Sequence, residues 1–160
     1  MKDIAACFGR DVLRGLTFED IMGRIDELRE KCSDRAVLRA LHFISENDRV
    51  RNCVGSLKND DIKGFLENIR SSGDSSFKYL QNVYCGSDPA HQNVSLALAV
   101  SERLLGEDGV CRVHGGGFAG TIQAFVKDNA VDRYMKGMEQ LFKPGSCKVL
   151  KIRKYGGLKW

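Results

Sequence analysis

Gly115-Gly116-Gly117-Phe118-Ala119-Gly120 constrains the fold of this chain more than any other stretch. It follows a short β-like run, Val110-Cys111-Arg112-Val113-His114, and precedes a second, Thr121-Ile122-Gln123-Ala124-Phe125-Val126. Glycine lets a backbone adopt positive φ and lets another group approach without a Cβ in the way. A tight hairpin turn needs only one or two such residues. Four in six positions favour a loop shaped for close approach by a ligand or partner, and successive backbone N–H groups in such a loop can face an anion such as a phosphate.

Three familiar glycine motifs overlap the segment and fail on context. Gly115, Gly117 and Gly120 fit G-x-G-x-x-G, but a dinucleotide site needs a helix to begin at the glycines, and here a strand follows. A protein-kinase glycine loop does lie between strands, yet no V-A-I-K, H-R-D or D-F-G follows it. His114-Gly115-Gly116-Gly117 mimics a lipase oxyanion loop, but the sequence holds no G-x-S-x-G nucleophile elbow.

The remaining composition bounds the class. With 160 residues, 42% of them hydrophobic, the chain can bury one sizeable core and is expected to form a single domain. Basic and acidic residues are interspersed and the net charge is only +4, which is a solvated surface and not a nucleic-acid footprint. Six cysteines are scattered without a C-x-x-C pair, so neither a zinc site nor a disulfide framework is expected. No apolar run reaches membrane-spanning length and no signal-peptide core opens the chain, so no membrane association and a cytoplasmic, reduced setting are expected.

The apolar spacing predicts helices first and a sheet later, an α+β chain. Phe18, Ile21, Met22, Ile25 and Leu28 have helical spacing behind a Thr17 cap. Asp34 is placed to cap a helix that carries Ala36, Val37, Ala40, Leu41, Phe43 and Ile44 and can run on to Val54 and Leu57. Asp60 starts a third, whose pattern is disturbed at Ser71–Ser76 and resumes at Phe77 and Leu80. Asp88-Pro89 reads as the start of a helix through Val94–Leu105, and Asp128 or Asn129 as the cap of one that Lys143-Pro144-Gly145 ends. Cys147 to Arg153 alternates like a third strand.

Gly109-Val110-Cys111-Arg112-Val113-His114-Gly115-Gly116-Gly117-Phe118-Ala119-Gly120-Thr121 resembles the third sequence motif of galactokinases, within the GHMP superfamily of small-metabolite kinases. That motif runs Gly-Ala-Arg-Met-Thr-Gly-Gly-Gly-Phe-Gly-Gly-Cys, so His114 stands for a threonine and Ala119 for a glycine. Asp34-Arg35-Ala36-Val37-Leu38-Arg39-Ala40-Leu41-His42-Phe43 and Glu46-Asn47-Asp48-Arg49-Val50 resemble a galactokinase stretch further upstream. The family's amino-terminal sugar motif, Gly-Leu-Ser-Ser-Ser-Ala phosphate loop and catalytic aspartate do not occur. Met1 falls where the family has the middle of a helix.

The resemblance implies a carboxy-terminal domain separated from its catalytic partner: a ferredoxin-like antiparallel sheet with helices on one face, preceded by extra amino-terminal helices. Residues 1–33 would form a helical lead-in and 34–160 the core. It also implies a parent enzyme that transfers the ATP γ-phosphoryl group to galactose with Mg2+, and a fragment that is inactive alone, holds no cofactor, lacks catalytic and metal residues of its own, and tends to self-associate. Gly115, Gly116, Gly117, Phe118, Ala119 and Gly120 would line the phosphate and sugar cleft, with Arg112 and His114 as accessory candidates. A non-catalytic sugar sensor or an interaction module on the same scaffold remains the alternative. Among other polar residues, His42 lies on an apolar helical face and is expected in a core or interface. His91 is expected exposed in a helix's first turn, and Ser72-Gly73-Asp74-Ser75 is expected to kink or break its helix.

Overall fold

A computed structural model describes residues 1–118 and 120–152. Seven α-helices and one two-stranded antiparallel sheet make up the described chain, an α+β fold. Three short helices come first: α1 (Lys2–Cys7), α2 (Phe18–Met22) and α3 (Ile25–Lys31). The long α4 (Asp34–Lys58) and α5 (Ile62–Ser75) follow, the latter running into a π-helical turn at Ser76–Leu80. Helix α6 (Asn93–Leu105), strands β1 (Gly109–Val113) and β2 (Ile122–Val126), and α7 (Val131–Phe142) complete the order.

Capping chemistry sets several boundaries. Thr17 and Asp20 form a reciprocal capping box at α2, as the Thr17 cap predicts. The predicted single helix nevertheless splits at Gly23-Arg24 into α2 and α3, leaving Phe18 and Met22 exposed. Ser33 caps α4 through the Ala36 amide, one residue ahead of the expected Asp34, and α4 does run past Val54 and Leu57. Asp61, not Asp60, caps α5.

Three expectations need correction. The Ser71–Ser76 stretch does not break its helix: α5 continues through Ser75, and only then does the winding loosen into the π turn. Ser72 and Ser75 face inward, where they find hydrogen-bond partners. Asp88-Pro89 does not open α6, which begins at Asn93. The Gln92 side chain bonds the Cys85 amide and the Cys85 and Asp88 carbonyls, so residues 88–92 are held as a turn. His91 therefore precedes the helix; it is exposed and paired with Asp88. Residues 147–152 form no strand: Val149, Leu150 and Ile152 are 65%, 86% and 87% exposed, and no described strand edge pairs with them. Arg153, the last residue of the expected strand, lies outside the described residues.

Two apolar clusters hold the molecule. The first packs Ile4 of α1, Leu13 of the α1–α2 connection, Ile21 of α2 and Leu28 of α3 against Val37, Ala40 and Ile44 of α4. The second packs Val94, Leu98 and Leu105 of α6, Cys111 and Val113 of β1, and Tyr134 and Met138 of α7. The strands pair in simple register from Gly109↔Val126 to Val113↔Ile122. Alternation then divides the hairpin's faces. Cys111, Val113, Ile122 and Ala124 meet the second cluster, whereas Arg112 and Phe125 meet α5. The expected helical layer on one face, α6 and α7, is present, but α5 packs on the other face. The two-stranded sheet is therefore covered by helices on both sides and not on one as expected, while α1–α3 pack against α4.

Candidate functional site

Strand β1 delivers the glycine loop. Beyond Val113↔Ile122, the His114 amide donates to the Thr121 carbonyl at 3.1 Å and closes the ladder. Residues 115–120 then leave the hairpin plane. The Phe118 amide donates to the Asn82 carbonyl at 3.1 Å, tying the loop to the segment that follows the π turn.

This tie divides the glycines by role. Gly117 is buried with φ +75°, and a Cβ there would overlap the Asn82 carbonyl oxygen. Gly117 is glycine for packing. Gly115, Gly116 and Gly120 are exposed, and a Cβ at any of them would meet nothing within 4 Å. Those three keep bare backbone facing open space. Phe118 is 62% exposed at the same surface, His114 is exposed, and Ala119 lies outside the described residues. Asn82 itself is buried beside Gly117, with its side-chain oxygen unpartnered among the described residues.

Arg112 is drawn the other way. Its Nε donates to the Val113 carbonyl at 3.1 Å, and its Nη1 donates to Ser72 Oγ at 2.6 Å and lies 3.5 Å from Glu46 Oε1. Ser72 in turn donates to the same Glu46 oxygen. Arg49 pairs with the other Glu46 oxygen at 2.9 Å. Burial works to raise the Glu46 carboxyl's pKa, but the Ser72 and Arg49 hydrogen bonds and the Arg49 and Arg112 charges outweigh it and hold it below the usual range. Helix α5 can come this close to β1 because residue 73 is glycine: a Cβ there would press on the Arg112 Cβ.

His42 adjoins the same group. It is buried on α4 as expected, with Nδ1 at 2.9 Å from Ser75 Oγ. Burial pushes its imidazole below the ordinary value, the Glu46 carboxylate opposes that shift, and the Arg49 and Arg112 charges add to it. The result is a polar seam joining α4, α5 and the strand β1 that leads into the loop.

Of the residues picked out by sequence, the structure brings Gly115, Gly116, Gly117, Phe118 and Gly120 together at one surface and turns Arg112 into the seam. Glu46, Ser72 and Ser75 were legible only in part: Glu46 and Arg49 have the i, i+3 spacing of a helical ion pair, while the serines read as breakers. Nothing in the sequence marks Asn82. A concavity of about 310 Å3, lined by Arg70, Asp74, Glu102 and Gly109 among others, opens at the other end of β1 and stands apart from the loop. No three histidine, cysteine or acidic side chains cluster as a metal would require among the described residues. No described helix is long and apolar enough to cross a membrane.

No protein-family model matches the chain. Curated relatives do. A galactokinase of Haemophilus influenzae (strain KW20 Rd) is 30% identical over 135 residues, which cover 84% of this chain and 33% of that enzyme. The galactokinase of Actinobacillus pleuropneumoniae serotype 5b is 31% identical over 128 residues, 80% of this chain and 31% of its own length. That of Glaesserella parasuis serovar 5 is 30% identical over 132 residues, 82% and 32% respectively. The chain spans about a third of the length of the curated relatives it matches. Through most of its own length, the chain is a relative of the galactokinases.

Proposed function

We propose that this chain is the carboxy-terminal part of a cytoplasmic, galactokinase-type GHMP sugar kinase, and that it supplies the glycine-rich loop to the cleft in which ATP and galactose meet. The match to a third of each relative, extending over most of this chain, is the observation that carries the reading. Phosphoryl transfer to a sugar hydroxyl depends on positioning and on stabilising charge over the phosphoryl oxygens. Exposed glycine backbone suits that task, because amide groups can approach a phosphate where a side chain would intrude.

The loop's geometry fits such a neighbour. Gly115, Gly116 and Gly120 leave room on the open side, and the tie from Phe118 to Asn82 holds the loop's packed side in place. The unpartnered Asn82 oxygen lies beside Gly117, on that packed side. ATP and Mg2+ would supply the transferable phosphoryl group and its charge neutralisation. This chain's part is to orient and enclose. The general base and metal ligands would come from the amino-terminal two-thirds of the enzyme.

The reading is tested by measuring galactose-dependent ADP release from the purified chain alone, and again after fusing it behind the matching amino-terminal two-thirds of the Haemophilus galactokinase. The expected result is no turnover by the chain alone and recovered turnover in the fusion. Turnover by the chain alone would overturn the assignment of a non-catalytic part. A folded fusion that binds galactose without transferring phosphate would replace the enzyme reading with a sugar sensor.

A further inference from the structure

Six cysteines are spread along this chain, and the fold brings two of them into contact. Cys7 is the last residue of α1, and Cys32 follows the last residue of α3, so they are separated by 25 positions in sequence. Their Sγ atoms lie 3.9 Å apart. Both are partly buried against the first apolar cluster, with Ile4, Ile21 and Leu28 nearby in the same group.

We propose that Cys7 and Cys32 form a redox-active dithiol that closes reversibly into an intrachain disulfide. The proposal is independent of the kinase reading. Closing from contact to a bonded distance of about 2.05 Å asks each sulfur to move roughly 1 Å, within what a side-chain torsion provides. The bond would clamp the end of α1 to the joint between α3 and α4, since Ser33, the next residue, caps α4.

The surroundings of Cys32 favour an order of attack. Burial, with the neighbouring Cys7 thiol, pushes the Cys32 thiol up. Cys32 is therefore the poorer entering nucleophile and resolves the mixed disulfide formed at Cys7. With a small disulfide such as oxidised glutathione, the Cys7 thiolate attacks one sulfur, the S–S bond breaks, and one glutathione thiolate leaves and takes a proton. Cys32, its proton lost to solvent, then attacks the Cys7 sulfur and releases the second thiolate, which is protonated in turn. Two protein thiols are oxidised and one disulfide is reduced to two thiols. In a reducing compartment such a pair acts as a transient, signal-dependent bond and not as a structural one.

The test incubates the purified chain with oxidised glutathione or dithiothreitol, blocks free thiols with N-ethylmaleimide, and maps tryptic peptides without reduction. Residues 3–10 and 32–35 form separate tryptic peptides with one cysteine each. The expected result is a cross-linked pair of these two peptides, a loss of two hydrogens in the intact mass, and blocking at the other four cysteines. The oxidised chain should also melt roughly 5 °C or more above the reduced one, because the bond restricts the unfolded state. Cys7→Ser and Cys32→Ser should each abolish the cross-link, and Cys53→Ser should leave it. Stable glutathione adducts at Cys7 or Cys32 without a cross-link, or a bond joining other cysteines, would overturn the proposal. The peptide map of the unmutated chain is decisive even if a serine variant folds poorly.

Discussion

Two adjacent regions of one hairpin meet opposite surroundings. Arg112 extends from β1 into a seam where Ser72, Glu46 and its own strand satisfy the guanidinium. Three residues further on, Gly115 and Gly116 meet nothing on their open side. The charged side chain that looks suited to a phosphate is committed to holding helices, and the residues with no side chain remain available. On the proposed reading, binding would fall to main-chain amides, while side-chain charge does the work of assembly.

The comparison breaks most visibly at Gly117. A valine there would add a branched Cβ at positive φ and press on the Asn82 carbonyl. Strain and overpacking together predict a loss of about 3 kcal/mol or more, read as a fall in Tm of roughly 6 °C or more. Gly116→Ala should cost only a few tenths of a kcal/mol, because the site is open and its φ is ordinary. If the two variants lose equal stability in thermal melts, the division of the loop into packed and open halves is wrong.

The seam should respond next. Arg112→Met leaves Arg49 as the one cation on Glu46 and Ser72 without its donor, at ion-pair side chains about a quarter exposed. A loss of about 1–3 kcal/mol in urea unfolding is expected, below the cost of breaking a fully buried pair. A change under a few tenths of a kcal/mol would show that the seam is ornamental.

The smallest effect is the seam's pH dependence. The folded His42 imidazole sits below its ordinary value, chiefly from burial, so the unfolded chain binds the proton more readily. Its contribution is complete above about pH 6.5 and is lost as pH falls towards the depressed folded value. One proton limits the slope to about 1.4 kcal/mol per pH unit. Tm measured between pH 7.5 and 5.5 should decline, and His42→Asn should flatten the decline. Glu46 adds loss only at lower pH, through its own depressed range.

Much of this was readable in advance, and the exceptions share a cause. Thr17 and the apolar spacing of α4 announce themselves because caps and periodicity are local signals. The glycine cluster marks the loop for a similar reason. Ser72 and Ser75 read as helix breakers, yet both sit inside or at the end of α5 because Glu46, Arg112 and His42 arrive from other elements to satisfy them. Gly73 weakens a helix by propensity and here admits a strand at close range. Asp88-Pro89 has the chemistry of a helix start, but Gln92 binds the same backbone first. Cys147–Ile152 has the alternation of a strand without a described edge to join. Which glycine in the loop packs and which stays open depends on Asn82, remote in sequence and silent by itself.

The hydrogen bond from Phe118 to Asn82 has a kinetic consequence. It joins residues far apart along the chain, with all of α6 and β1 between them. The hairpin's own ladder can zip up locally, but this tie waits until α5, the π turn and α6 have docked, since distant contacts repay their closure entropy late. The loop's shaped backbone is therefore set after the hairpin that carries it. It is also where opening begins: the amides of Gly115 and Gly116 should trade their hydrogens with solvent long before the paired amides of β1 do.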